Sequence, residues 1–100
     1  MADQIQESKA DPEDIFNEVS LKVARVLLEN PKIQYTKTSL AEAADISKDS
    51  IYRRWGTFVE TGLVEEANVD SGHDYYQLNS DSEIADTLGK LIYDILEENQ

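Results

Sequence analysis

The sequence predicts a mostly α-helical domain carrying one small β-hairpin, in the order helix–helix–helix–hairpin–helix. Three observations support that reading. Apolar residues recur at helical spacing in four stretches, around 15–27, 40–44, 51–59 and 84–95. Only Asp45-Ile46-Ser47 separates the second stretch from the third, which leaves room for a tight turn between two helices and nothing more. Between the third and fourth stretches, two short runs of strand character flank the turn dipeptide Ser71-Gly72. With 100 residues, Gly 4 and Pro 2, the chain has the size and composition of one globular domain.

Each element has a local reason. Residues 1–10 are polar and without period, and are expected to form a flexible acidic tail. Asp11-Pro12-Glu13-Asp14 is a helix start: Asp11 can cap, Pro12 suits the first helical position, and the acids favour the positive end of the helix dipole. Ile15, Phe16, Val19, Val23, Val26 and Leu27 then keep a helical period until Asn30-Pro31 ends the run. Residues 31–37 connect, with Ile33 and Tyr35 able to pair as a very short strand. Thr38 or Ser39 is expected to cap the second helix, Ser39-Leu40-Ala41-Glu42 fitting a capping box. Its small apolar face, Leu40, Ala41 and Ala44, lets another helix cross closely.

Ser47 caps the third helix, about Lys48 to Glu60, whose Ile51, Trp55, Phe58 and Val59 fall at i, i+4, i+7 and i+8. Thr61-Gly62 stops it, with Gly62 in the left-handed region. Leu63–Ala67 and Asp74–Leu78 read as the hairpin strands, Tyr76 and Leu78 pointing inward. Ser80 or Ser82 caps the last helix, where Ile84, Leu88, Leu91 and Ile95 step by 4, 3 and 4. Two short helices joined by a three-residue turn and followed by a hairpin make a winged helix-turn-helix. The expected organisation is a tail over 1–10, that domain over 11–81, and a last helix over 82–100.

Composition excludes several function classes. There is no cysteine and one histidine, His73, so disulfides, thiolate metal sites and His-pair chemistry are excluded. With no glycine-rich phosphate cradle either, an enzyme is not expected, nor any cofactor or metal. Asp70 and Asp74 do not complete a calcium-loop pattern. No apolar run approaches the ~20 residues of a membrane span, and the N-terminus lacks the features of a signal peptide, so the chain is read as cytoplasmic. The formal net charge is -12, yet the positive charge is concentrated. Residues 35–58 hold Lys37, Lys48, Arg53 and Arg54 against three acids, while the rest of the chain holds five bases against eighteen acids. That contrast marks one basic face on an acidic protein, and acidity elsewhere keeps such a protein soluble where salt screens charge.

The stretch Leu40-Ala41-Glu42-Ala43-Ala44-Asp45-Ile46-Ser47-Lys48-Asp49-Ser50-Ile51-Tyr52-Arg53-Arg54-Trp55 resembles the helix-turn-helix of archaeal and bacterial winged-helix transcriptional regulators. Phe58–Glu66 resembles their exit from the recognition helix, and Tyr76–Ser82 a strand-to-helix junction of small haloarchaeal members. The resemblance implies binding of double-stranded DNA with the third helix in the major groove. It places Lys48, Ser50, Tyr52 and Arg53 opposite bases or phosphates, Arg54 and Thr57 on the DNA backbone, and Thr38 and Ser39 at a phosphate near the second-helix start. In this sequence Trp55 stands where leucine is usual, Asp49 adds a negative charge at the helix tip, and the wing carries no Lys or Arg.

The residues permit their own reading of the site. A major groove admits a helix, and Arg53 can bond bidentately to guanine or pair with Asp49 at i, i+4. Lys48 sits near the positive helix end, where its charge is locally unfavourable unless a phosphate uses it. Lys37 belongs to the same basic face. Ser50 either bonds a phosphate or helps cap the helix. Tyr52 is expected beside Arg53 on the open side, and Trp55 in the core. Ser71, Gly72 and His73 form the wing tip, where protonated His73 would reach a phosphate. Ile84, Leu88, Leu91, Ile92 and Ile95 form a stripe expected to pair across a two-fold axis as a homodimer. Cations bound between acidic patches and phosphates would offset repulsion, giving a shallow or rising dependence of affinity on potassium. The competing reading is a winged-helix module that binds a basic protein partner or the transcription machinery.

Overall fold

The computed structural model describes residues 15–67, 72 and 74–98, with side chains up to Asp94. The Asp11-Pro12 helix start, Ser71, His73 and the Ile95 side chain lie outside the described residues. Among the described residues, four helices and a two-stranded antiparallel hairpin follow in the order α1 (Glu18–Glu29), α2 (Lys37–Ala44), α3 (Lys48–Glu60), β1 (Val64–Ala67), β2 (Tyr75–Leu78) and α4 (Glu83–Glu98). This is a winged helix-turn-helix. Among the described residues no helix is long and apolar enough to cross a membrane.

The first helix differs from the expected one. Ile15 and Phe16 do not continue into α1; Asn17 interrupts, with extended backbone (φ -139, ψ 171), and its side chain accepts the Ser20 N–H at 2.9 Å. The apolar period survives the break, because Ile15 is buried and Val19 still packs against the core. Asn30 ends the helix, its side-chain amide donating to the Val26 carbonyl at 2.9 Å.

The second helix also starts earlier than expected. Thr36 is its cap, not Thr38 or Ser39. The Thr36 hydroxyl accepts the Ser39 N–H at 3.0 Å, and the Ser39 hydroxyl accepts the Thr36 N–H at 2.9 Å, a reciprocal box with serine in the role usual for glutamate. Tyr35 fixes this start from outside. It forms an isolated antiparallel bridge with Tyr76, donating to the Tyr76 carbonyl at 2.8 Å and accepting the Tyr76 N–H at 2.7 Å. Ile33 does not share in that pairing and lies exposed.

The turn between α2 and α3 is tight because Asp45 adopts the left-handed conformation (φ 61), which Asp tolerates better than most residues. Ser47 caps α3, accepting the Ser50 N–H at 3.0 Å. Gly62 ends it at φ 79 and passes the chain to β1. Val64 pairs with Leu78 and Ala67 with Tyr75 in the hairpin. Ser82 caps α4, its hydroxyl accepting the Ala85 N–H at 3.2 Å.

One cluster of buried residues unites all of these elements. Leu27 enters it from α1, Leu40 from α2, Ile51 and Phe58 from α3, Leu63 from the α3–β1 junction, and Leu88 from α4. Trp55 stacks edge-on against Phe58 and Tyr76, with centroids 5.9 and 4.8 Å apart. Val59, expected on the same apolar face, is exposed instead, because one residue past Phe58 it is turned about 100° around the helix. α4 packs on α1 within this core, so the described residues on either side of position 81 share one interior.

Candidate nucleic-acid interface

α3 is held by one face and open on the other. Ile51, Trp55 and Phe58 anchor it; Lys48, Tyr52 and Arg53 project from the open side, with Tyr52 54% exposed. Lys48 has no ion-pair partner among the described residues. Arg53 pairs with Asp49 one turn back; both side chains remain largely in water, 71% and 75% exposed. Such a pair contributes at most ~1 kcal/mol at the surface, so it orients the guanidinium without locking it away. Ser50 is drawn into the cap: its amide and its hydroxyl both meet the Ser47 hydroxyl, at 3.0 and 2.9 Å. Arg54 and Thr57 are half-buried at the edge of the helix.

The start of α2 lies beside this face. Leu40 N–H donates to the Thr36 carbonyl and Ser39 N–H to the Thr36 hydroxyl. The first amides of the helix, at Lys37 and Thr38, are the ones a helix leaves without internal acceptors. Ser39 has both its amide and its hydroxyl committed to the cap, so of the two expected phosphate contacts Thr38 is the one left open. Lys37 is placed unexpectedly. Its Nζ lies 5.3 Å from the ring centroids of both Tyr52 and Trp55. A cleft of about 200 Å³, lined by Thr36, Lys37, Thr38, Tyr52, Asp74 and Tyr76, separates the α2 start from the hairpin. Of the wing tip, Gly72 is described: exposed, at φ 83. Glu65 and Glu66 face outward on β1, and Glu65 accepts a bond from the Gln77 side chain at 2.9 Å. No group of three or more acidic or histidine side chains gathers to hold a metal ion among the described residues.

Two phenols sit under this face. Burial pushes the Tyr35 pKa above its ordinary value; burial, then the charges of Asp74 and Glu66, do the same for Tyr76.

The stripe on α4 divides. Leu88 and Ile92 are buried in the chain's own core and Ile84 is half-buried, because α4 lies along α1. Any surface for a second copy therefore rests on Leu91, 37% exposed, rather than on Leu88 and Ile92; Tyr93, 45% exposed, stands on the other flank of the helix. Sequence reasoning missed Thr36 as a cap and the Lys37–Tyr52–Trp55 contact. The first was one of three hydroxyl residues in a row of four, and the second exists only once α2 and α3 cross.

No protein-family model and no curated protein matches the sequence. Solved structures do match. The chain is similar to the transcriptional repressor BigR from Xylella fastidiosa, at 17% identity and TM-score 0.66, covering 88% of this chain and 82% of that one. It is similar to ZitR from Lactococcus lactis, solved in complex with DNA, at 16% identity and TM-score 0.60, covering 94% and 62%. A MarR family transcriptional regulator from Silicibacter pomeroyi matches at 19% identity and TM-score 0.57, covering 77% and 54%. The chain thus spans between about half and four fifths of these regulators' lengths, and what it shares with them is the winged-helix fold.

Proposed function

We propose that this chain is a sequence-specific double-stranded DNA-binding regulator of transcription, a homodimeric repressor that reads the major groove with α3. One observation carries the reading: a capped helix, anchored by Ile51, Trp55 and Phe58, presents Lys48, Tyr52 and Arg53 together to solvent on an otherwise acidic molecule. Arg53 reads guanine, Tyr52 meets a base edge or thymine methyl, and Lys48 neutralises a phosphate. Ser50, Arg54, Thr57 and Thr38 lie at the edges where the DNA backbone passes. That regulators of the same fold include one solved on DNA supports this reading.

Dimer formation rests on the α4 flank that carries the exposed Leu91, and the half-sites read by two copies of α3 would lie about 34 Å apart. The net charge of -12 fits a salt-rich cytoplasm, with cations bridging acidic surface and phosphate.

The test is selection of duplexes from a random pool by the full chain, followed by binding titrations from low to molar potassium. The expected result is one enriched motif, lost when Lys48→Ala and Arg53→Ala are combined, with a flat or rising affinity as potassium increases. A steep fall with salt overturns the cation bridge. Retention of the motif by the double variant overturns α3 as the reading element, and selection of no motif by the wild type favours the protein-docking module. Sedimentation checks the dimer: Leu91→Asp is expected to halve the mass, and an unchanged mass rejects that face.

A further inference from the structure

Among the described residues, the cation–π contacts converge on one lysine, and it joins the two helices of the DNA-facing motif. Lys37 occupies the first position of α2, where the positive end of the helix dipole disfavours an ammonium. No carboxylate among the described residues pairs with it. Two aromatic faces compensate instead, each centroid 5.3 Å from Nζ. The two rings differ in how they are held. Trp55 is buried and wedged edge-on between Phe58 and Tyr76. Tyr52 stands in solvent on the reading face, and the Lys37 ammonium is its one polar partner among the described residues.

We propose that Lys37 is a positioning residue for duplex recognition: by bridging the fixed Trp55 ring and the open Tyr52 ring, it sets the tyrosine that meets the bases. This rests on the reading of α3 as the recognition helix. A tyrosine ordered before docking loses less freedom on binding and discriminates more sharply. Lys37 therefore governs base preference, while Lys48, which has no such partner, takes the phosphate.

The two roles predict opposite signatures. Removing a phosphate contact lowers the slope of log affinity against log salt by about 1 and weakens all duplexes alike. Removing a positioning residue leaves the slope and erodes preference. Lys37→Gln, Lys37→Arg, Tyr52→Ala and the double variant Lys37→Gln/Tyr52→Ala are compared on the duplex the wild type selects and on its single-base variants. Lys37→Gln is expected to lose about two- to thirtyfold in discrimination at an unchanged salt slope. Lys37→Arg is expected to keep it, and the double variant to be no worse than Tyr52→Ala alone. In the free protein Trp55, the single tryptophan, is expected to change its emission in Lys37→Gln and recover it in Lys37→Arg. Should Lys37→Gln fail to fold, Lys37→Met, which keeps the apolar stem, takes its place.

Unchanged emission overturns the bridge itself. A slope lower by about one with preference intact makes Lys37 a phosphate contact, overturning the proposal while DNA binding stands. If the wild type selects no duplex at all, the DNA reading fails and the role of Lys37 in it fails too.

Discussion

The α2–α3 pair and the α1–α4 pair face the same problem, burying one side of two amphipathic helices, and leave different residues in water. In the first, Leu40, Ala41, Ile51, Trp55 and Phe58 go inward, and the open side carries Lys48, Tyr52 and Arg53. In the second, Val23, Leu27, Ala85 and Leu88 go inward, and the open side carries the ion pairs Lys22–Glu18, Arg25–Glu29 and Lys90–Asp86 beside exposed Leu91 and Tyr93. Both inward faces meet in one core of ordinary aliphatic and aromatic side chains. What each pair leaves over separates them: Lys37 and Lys48 have no carboxylate partner among the described residues, whereas Lys22, Arg25 and Lys90 are each paired with an acid one turn away. The proposed function is read from the residues left outside, not from the core that positions them.

The strongest way to break this comparison is to remove the anchor common to both pairs. Phe58 is fully buried in the shared cluster, and Phe58→Ala is expected to cost about 3–5 kcal/mol. Chemical denaturation followed by Trp55 emission and by helical circular dichroism is expected to show one transition, shifted to lower denaturant. Two separated transitions would mean that α1–α4 holds without α2–α3, and the single core would be wrong.

A smaller effect contrasts two glycines, one per region. Gly62 leaves α3 at φ 79, so Gly62→Ala is expected to destabilise by about 1–2 kcal/mol through backbone strain. Gly89 lies within α4, where an added Cβ would meet Leu28 Cδ1 at 3.5 Å, an ordinary contact. Gly89→Ala is therefore expected to stabilise by about 0.5–1 kcal/mol through helix propensity. Thermal midpoints of the two variants should move in opposite directions; movement in the same direction removes the distinction.

The smallest effect appears at alkaline pH, on the α2–α3 side. The raised Tyr35 and Tyr76 pKa values mean that the folded chain prefers the neutral phenols. Their contribution is complete below the ordinary tyrosine value of 10.0 and is lost as pH rises through the elevated ones. Thermal midpoints measured between about pH 8 and 11 are expected to fall above 10, and to fall less in Tyr35→Phe.

The legible parts of this fold were those set by local chemistry. Ser47, the i, i+4, i+7 anchors of α3 and Gly62 lie within one helix and its ends, so their spacing alone defines it. Asn17 was not legible, because the apolar period runs through it: Phe16 and Val19 look helical whether or not the helix restarts. Thr36 was not legible because Thr38 and Ser39 are equally good caps in isolation; the Tyr35–Tyr76 bridge decides among them by holding the chain extended up to residue 35. Lys37 looked like one more base of the positive face, and its position over two rings depends on a helix crossing that no local pattern encodes.

That bridge has a further consequence. Tyr35 and Tyr76 each donate to and accept from the other, so lifting the hairpin from the α1–α2 connector breaks both bonds in one event. The two amide protons should exchange with deuterium at a common rate set by that opening. Because Tyr76 also packs on Trp55, the hairpin cannot swing away without loosening the seat of α3, and movement of the hairpin and of that helix become a single degree of freedom.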